Sequence, residues 1–252
     1  MTTQNVIDAV DLEFDNGIFD SAAFAGQALS SAEALAAVID HTLLKPEATR
    51  AQLEQLCQEA ASYRFACAMV NPAWAALAAR MLAGSEVPLG VVIGFPLGAS
   101  LGSTLRQEAE ALTRMGAREL DMVMPVGALK SGDRKAVQHA IRSTAEVAHA
   151  GGALLKVILE TALLTTEEKL LASEISIASG ADFIKTSTGF SKAGATAADI
   201  ALMRGVAGSR AGVKASGGIR TLADARAMLE AGASRIGASA SVAIVEELRS
   251  QL

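Results

Sequence analysis

The chain has 252 residues, 51% of them hydrophobic, 19% charged and 4% aromatic, which supports one large aliphatic core and excludes a disordered chain. A formal net charge of −5 with no lysine- or arginine-rich stripe argues against nucleic acid as a partner. Two cysteines (Cys57, Cys67) and three histidines (His41, His139, His149) lack the spacings of four-ligand zinc sites, and no signal-peptide pattern or run of about 18 uncharged apolar residues is present, so the expectation is a cytoplasmic chain without a structural metal or a membrane anchor.

Residues 1–30 carry Asp8, Asp11, Glu13, Asp15 and Asp20 among scattered apolar positions and read as an N-terminal extension, with the catalytic domain over 31–252. Ser30 and Glu33 have capping-box spacing and are expected to start a short helix. Eight runs rich in Val, Ile and Leu then recur: AVIDHTLL, YRFACAMV, PLGVVIG, ARELDMVM, ALLKVILE, ADFIKTST, AGVKASGG and SRIGAS. They begin between about 22 and 36 residues apart, the length of a strand, a loop and a crossover helix. The segments between them carry helix signals, including capping-box spacing at Thr49/Gln52 and Thr165/Glu168. An eightfold β/α alternation closes best as a (β/α)8 TIM barrel, which leaves no exposed sheet edge. The rival, a doubly wound dinucleotide-binding sheet, lacks its GxGxxG after the first strand.

Active sites of such barrels form at the C-terminal ends of the strands. Asp40, Asp121, Lys156, Lys185 and Lys214 stand in or at the ends of otherwise apolar strands. A strand lysine alone can lay its stem along apolar surface or form an ion pair. Three of them in strands five, six and seven must be met by partners, for which Asp121 and Glu160 are the candidates. Lys185 and Lys214 fall on adjacent strands, where one ammonium disfavours the charge of the other; one would attack a carbonyl and the other would tune it. Asp121, near Lys156 on the next strand, is either a proton carrier or a plain salt bridge.

Ser216-Gly217-Gly218 and Gly237-Ala238-Ser239 end strands seven and eight, where barrels commonly hold phosphate on backbone N–H groups and helix N-termini. Gly189, after Thr186, Ser187 and Thr188, adds to that set, and Asp40 and Thr42 at the end of strand one join the candidate substrate-binding residues. His41 reads as a satisfied buried histidine or a polar site residue. Cys67 and Met69 read as core, and His139 and His149 as helix-surface residues.

Seven segments carry a family resemblance: IDHTLLKPEAT (39–49), VIGFPLGA (92–99), ELDMV (119–123), GALKSG (127–132), LKVILET (155–161), ADFIKTSTGF (181–190) and GVKASGGIR (212–220). From about residue 35 to 240 the chain resembles the deoxyribose-phosphate aldolases. The resemblance implies a class I aldolase on a (β/α)8 barrel, active in deoxyribonucleotide catabolism as a homo-oligomer, with a dimer favoured. It implies reversible cleavage of 2-deoxy-D-ribose 5-phosphate to acetaldehyde and D-glyceraldehyde 3-phosphate without metal or other cofactor. By motif it makes Lys185 the Schiff-base lysine, Lys214 the lysine that depresses its pKa, Asp121 the proton-relay acid and Lys156 the lysine beside it. Gly189, Gly217, Gly218 and Ser239 match the phosphate site.

The chain departs from the family pattern in four places. Met69 stands where cysteine is frequent, and Pro125 stands in a loop that more often reads INIGALKSG. Ala240 replaces a second serine, and the chain ends RSQL without a terminal tyrosine, its only tyrosine being Tyr63. Two rivals are a Schiff-base aldolase acting on a longer or non-phosphorylated aldehyde, and a non-catalytic barrel that binds a sugar phosphate. A metal-dependent aldolase is disfavoured by the placement of the histidines.

Overall fold

The structure, a computed structural model, describes residues 19–252. The greater part of the expected N-terminal extension, residues 1–18, lies outside the described residues. Helix α1 (Ser21–Ala28) is capped by Asp20, whose Oδ1 accepts from Ala23 N at 2.9 Å, and it buries Ala25 and Ala28. The Arg204 guanidinium lies over the Phe19 ring, 3.9 Å from its centroid, and pins this segment to the barrel.

Helix α2 (Ala32–Ala36) is capped one residue later than expected, by Ser31 rather than Ser30. Ser31, in extended conformation, accepts from Ala34 N at 3.0 Å, whereas the Ser30 hydroxyl donates to the Gln27 carbonyl at the end of α1. Ser30 is thus used by the preceding helix and is not free to cap the next one.

Eight parallel strands follow: β1 (Ile39–Leu43), β2 (Cys67–Val70), β3 (Leu89–Ile93), β4 (Ala117–Val123), β5 (Leu154–Ile158), β6 (Phe183–Lys185), β7 (Gly212–Ser216) and β8 (Arg235–Ala238). They close in chain order, β8 pairing with β1. The outer helices are α3 (Arg50–Tyr63), α4 (Ala75–Met81), α5 (Gly102–Arg114), α6 (Val126–Lys130), α7 (Arg134–Ala150), α8 (Thr166–Ala178), α9 (Ala197–Ala207), α10 (Leu222–Glu230) and α11 (Ser241–Arg249). Both expected capping boxes form, at Thr49/Gln52 and at Thr165/Glu168. Eight strands each followed by a crossover helix make a (β/α)8 barrel.

The two faces of the wall differ in chemistry. Outward residues such as Val91, Leu120, Met122, Leu155, Val157, Ile184, Val213 and Ile236 pack under the helices in the main core. Inward, β2 and β3 present Cys67, Met69 and Val92, which cluster with Leu44. Gly90 makes room for them, because a Cβ there would run into Cys67 and Met69. Much of the rest of the interior is charged. Period-two alternation therefore survives in β4, β5 and β7 although both faces are buried: Leu120, Met122, Val157, Val213 and Ala215 turn outward, while Glu119, Asp121, Lys156, Lys214 and Ser216 turn inward, with Val123 and Ile158 above them on the same inward face.

Candidate active site

Asp40 on β1, Glu119 and Asp121 on β4, Lys156 on β5, Lys185 on β6, Lys214 on β7 and Arg235 on β8 meet inside the barrel. Strand register brings them together: Asp121 is level with Lys156, Lys185 with Lys214, and Lys214 with Arg235. Asp121 is the hub. Its Oδ1 accepts from Lys156 Nζ at 2.7 Å, and its Oδ2 accepts from Lys185 Nζ at 2.8 Å and Lys214 Nζ at 2.7 Å.

The second acid is Asp40, which takes Lys214 on Oδ2 and Arg235 Nη1 on Oδ1 at 2.6 Å. Glu119, the third, lies 2.6 Å from Lys156 and 3.2 Å from Arg235. Glu160 is not a counter-charge to the lysines. Its carboxylate accepts the Thr188 hydroxyl at 2.5 Å and faces the Thr188 N–H, with its own backbone in the left-handed region at φ 58°.

Four cationic side chains thus face three carboxylates in a buried interior, where an uncompensated charge is expensive. The least compensated cation is Lys185, whose sole ion-pair partner among the described residues is Asp121; Lys156 reaches Asp121, Glu119 and Asp40, and Lys214 reaches Asp40 and Asp121. Burial, aided by the nearby Lys214 charge and opposed by Asp121, pulls Lys185 down to about 8. The expected effect of Lys214 is present, but desolvation is the larger cause. Burial also opposes the charge of Lys156, yet Asp121, Glu119 and Asp40 hold it protonated well above the usual lysine range. Asp40 and Asp121 are pushed up by burial and pulled down further by their cations, ending well below the carboxylate range.

Above this network opens a cavity of about 350 Å³, lined by Lys185 and by the loops that follow β1, β6, β7 and β8. Thr42, Gly189, Gly217, Gly218 and Ser239 all line it, with Thr188, Ser216, Lys45 and Arg220. Gly189, Gly217 and Gly218 have φ of 85°, 88° and 83°, which only glycine adopts without strain. Thr42 donates to the Asp40 carbonyl at 2.8 Å. Thr186 is not brought to the cavity: its hydroxyl donates to Ser216 O and accepts from Ser216 N, both at 3.1 Å, and so ties β6 to β7. The Ser216 hydroxyl is buried without a hydrogen-bond partner, which leaves it available to a ligand.

Glu119 and Arg235 were not among the residues singled out from the sequence. Period two was the available signal, since Glu119 stands two before Asp121 and Arg235 two before Gly237. Asp40, Cys67 and Glu119 lie close enough together to hold a cation, but both carboxylates already pair with Arg235 and lysines, and burial pushes the Cys67 thiol well up, against the thiolate a metal needs. His41 stacks on Phe65 and meets Glu59 through Nε2 at 2.8 Å, outside the network. Exposed His149 pairs with Asp182 at 2.9 Å.

Comparison with known proteins agrees with this geometry. Residues 34–246 match the family model described as DeoC/LacD family aldolase. The deoxyribose-phosphate aldolase of Bacillus mycoides (strain KBAB4) is 56% identical over 211 residues, covering 84% of this chain and 94% of that protein. That of Geobacillus sp. (strain WCH70) is 52% identical over 212 residues, covering 84% and 95%. The chain belongs to this aldolase family. Among solved structures, the deoxyribose phosphate aldolase of Aeropyrum pernix, described as having a unique tetrameric structure, superposes with a TM-score of 0.85 at 35% identity, over 92% of this chain and 98% of that one.

The departures from the aldolase pattern have local structural settings. Met69 is fully buried among Leu44, Cys67 and Val92. Pro125 heads α6 and its carbonyl accepts from Ala128 and Leu129, a place where a missing N–H is tolerated. Ala240 caps α11 without any side-chain hydrogen bond, so the first-turn N–H groups are not taken by their own cap.

Proposed function

We propose that the chain is a class I aldolase that reversibly cleaves 2-deoxy-D-ribose 5-phosphate to D-glyceraldehyde 3-phosphate and acetaldehyde through a Schiff base on Lys185. The observation that carries the reading is Lys185 itself: it is the member of the charged network that lines the cavity, and it is drawn down to about 8. At pH 7 about a tenth of such a lysine is neutral, against about one part in 2,500 for an ordinary one. Neutral Nζ attacks C1 of the open-chain sugar, and loss of water gives a protonated imine.

The C2–C3 bond then breaks. Its electrons flow into the iminium, the C3 hydroxyl proton is removed, glyceraldehyde 3-phosphate departs and an enamine remains. Asp121, held by Lys156 at 2.7 Å, with water, takes that proton and returns one to the enamine carbon. Hydrolysis of the new imine releases acetaldehyde and restores Lys185. In this reading the phosphate rests on the backbone N–H groups around Gly189, Gly217, Gly218 and Ser239, with Lys45 and Arg220 at the rim supplying positive charge. Anchoring the phosphate away from the reacting bond turns remote binding into orientation at C1.

The test is acetaldehyde release from 2-deoxy-D-ribose 5-phosphate in excess chelator, paired with borohydride trapping. Release by the native chain and loss of the adduct in Lys185→Leu are expected; an adduct persisting on another lysine overturns the assignment. A second reading, an aldolase for non-phosphorylated aldehydes, draws on a neighbouring cavity of about 130 Å³ lined largely by apolar residues including Pro96, Leu97, Val126, Leu163 and Phe190. Turnover that survives removal of the substrate phosphate would favour it.

Self-association belongs to the same proposal. A dimer is the expectation from the sequence and the Aeropyrum pernix relative is described as tetrameric; light scattering of the purified chain decides between them. Among the described residues no helix is long and apolar enough to cross a membrane, and we place the reaction in the cytoplasm.

A further inference from the structure

We propose that Glu119 and Arg235, an ion pair one layer below Lys185, are positioning residues that select which barrel lysine gives up its proton. The inference rests on the reading of Lys185 as the imine-forming residue. Neither side chain lines the cavity, so neither can touch substrate there, and both reach Lys185 only through other charges.

The groups that face this interior come from seven strands: Asp40 from β1, Cys67 from β2, Glu119 and Asp121 from β4, Lys156 from β5, Lys185 from β6, Lys214 from β7 and Arg235 from β8. The eighth, β3, offers Gly90 and Val92, which do not titrate. Arg235 is a fixed positive charge, since a guanidinium keeps its proton at any working pH. It takes Asp40 Oδ1 at 2.6 Å and lies 3.2 Å from Glu119, so it claims part of the field that Asp40 would give Lys214 and that Glu119 would give Lys156. Its ring contact with Phe183, 5.3 Å from guanidinium to centroid, holds it in place from the β6 side.

Each partner therefore acts on Lys185 with opposite sign. Without Arg235, three cations face three carboxylates, and Lys185 can keep its proton with no surplus charge. Asp40 and Glu119 then satisfy Lys214 and Lys156 more fully and leave Asp121 freer for Lys185. Without the Glu119 charge the surplus grows. Lys156, which lies 2.6 Å from Glu119, falls back on Asp121 and Asp40, draws on the carboxylate that supports Lys185, and makes that lysine yield its proton sooner. A purely structural pair would give no such opposition.

The experiment follows the initial rate of acetaldehyde adduct formation on Lys185 from pH 5.5 to 9.5, trapped with cyanoborohydride and located by mass spectrometry. It compares the native chain, Glu119→Gln, Arg235→Met and Arg235→Lys, each shown folded by its thermal transition. The acid-limb midpoint is expected to fall by about 0.5 to 1 pH unit in Glu119→Gln, to rise by about as much in Arg235→Met, and to return to the native value in Arg235→Lys. Coincident midpoints, or shifts of the same sign in Glu119→Gln and Arg235→Met, overturn the proposal. If Arg235→Met does not fold, Glu119→Gln decides alone: a downward shift supports the proposal and an unchanged midpoint overturns it. A native chain that gives no adduct at Lys185 is a separate failure, of the underlying reading, and removes this proposal with it.

Discussion

Lys185 and Lys214, level with each other on adjacent strands, donate to the same oxygen, Oδ2 of Asp121, at 2.8 and 2.7 Å. Two ammonium groups sharing one acceptor repel, which disfavours the charge of Lys185, whose only carboxylate partner among the described residues is Asp121. With Lys185 near 8, adduct formation is expected to rise with pH through about pH 8 and to fall about tenfold per unit well below it. Lys214→Met removes the like charge, so Lys185 keeps its proton to higher pH and the acid limb moves up. A midpoint that stays or moves down in Lys214→Met contradicts this coupling, and the trapped-adduct rate against pH reads it directly.

Asp121→Asn separates the two tasks given to this acid. The amide keeps the shape but cannot hold the C3 hydroxyl proton, so carbon–carbon cleavage and enamine protonation are expected to slow by about 10²- to 10⁴-fold. Imine formation is expected to persist, with its acid limb displaced to lower pH because Lys185 has lost its only carboxylate partner among the described residues. Deuterium incorporation into the methyl group of acetaldehyde measures protonation apart from adduct formation. Equal losses in both would show that Asp121 only holds the lysines in place.

Much of this site was legible from the sequence because a lysine is conspicuous in an aliphatic strand. Lys156 stands between Leu155 and Val157, Lys185 directly follows Phe183 and Ile184, Lys214 follows Val213, and Asp121 stands between Leu120 and Met122. Glu119 and Arg235 were harder to see, because each lies near the beginning of its strand, where a charge usually reaches solvent; only alternation from Asp121 and Gly237 turns them inward. The partner of Glu160 could not be read at all. Thr188 lies 28 residues further along, and the left-handed backbone that aims the carboxylate has no signature in a non-glycine residue. Thr186 failed for the opposite reason: next to Lys185 in sequence, it turns to the neighbouring strand and spends its hydroxyl on Ser216.

Gly237 is level with Ser216 on one side and Asp40 on the other. A Cβ there would run into Ser216 Oγ and come within 3.0 Å of Lys214 Cε. Lys214 is already pinned between Asp40 and Asp121, so it cannot yield without leaving one of them. Gly237→Ala is expected to lower kcat by about ten- to a hundredfold while the chain still folds, as for a misplacement of about 1 Å. Steady-state kinetics with a thermal melt test this; native kcat would mean that the interior has room the geometry does not show.

Met69 changes the chemistry of the apolar half of the barrel. A thioether does not add to an unsaturated aldehyde, whereas a thiol in the same place could. Met69→Cys is expected to lose activity faster than the native chain on incubation with an unsaturated aldehyde, with one adduct mass on residue 69. The shorter side chain also leaves a void among Leu44, Cys67 and Val92, which lowers stability by about 1 to 3 kcal/mol. Equal inactivation of both proteins would place the vulnerable group elsewhere.

Gly217 distinguishes phosphate recognition from chemistry. It adopts φ 88° in the loop after β7, and a Cβ would come 3.0 Å from Gly194 Cα in the loop after β6, whose Ala195 N–H donates to the Ser216 and Gly217 carbonyls at 3.1 and 3.0 Å. Gly217→Ala must either strain this turn, at about 1 to 2 kcal/mol, or move it, and movement re-aims the N–H groups offered to the phosphate without touching Lys185. The expected result is a rise of about tenfold in KM for 2-deoxy-D-ribose 5-phosphate, a smaller change in kcat, and little loss with unphosphorylated 2-deoxy-D-ribose. The preference for the phosphorylated sugar should therefore shrink by about the factor that KM gains. A parallel loss on both sugars would show instead that the turn supports the barrel end as a whole, and the phosphate site would then have to be sought around Lys45 and Arg220.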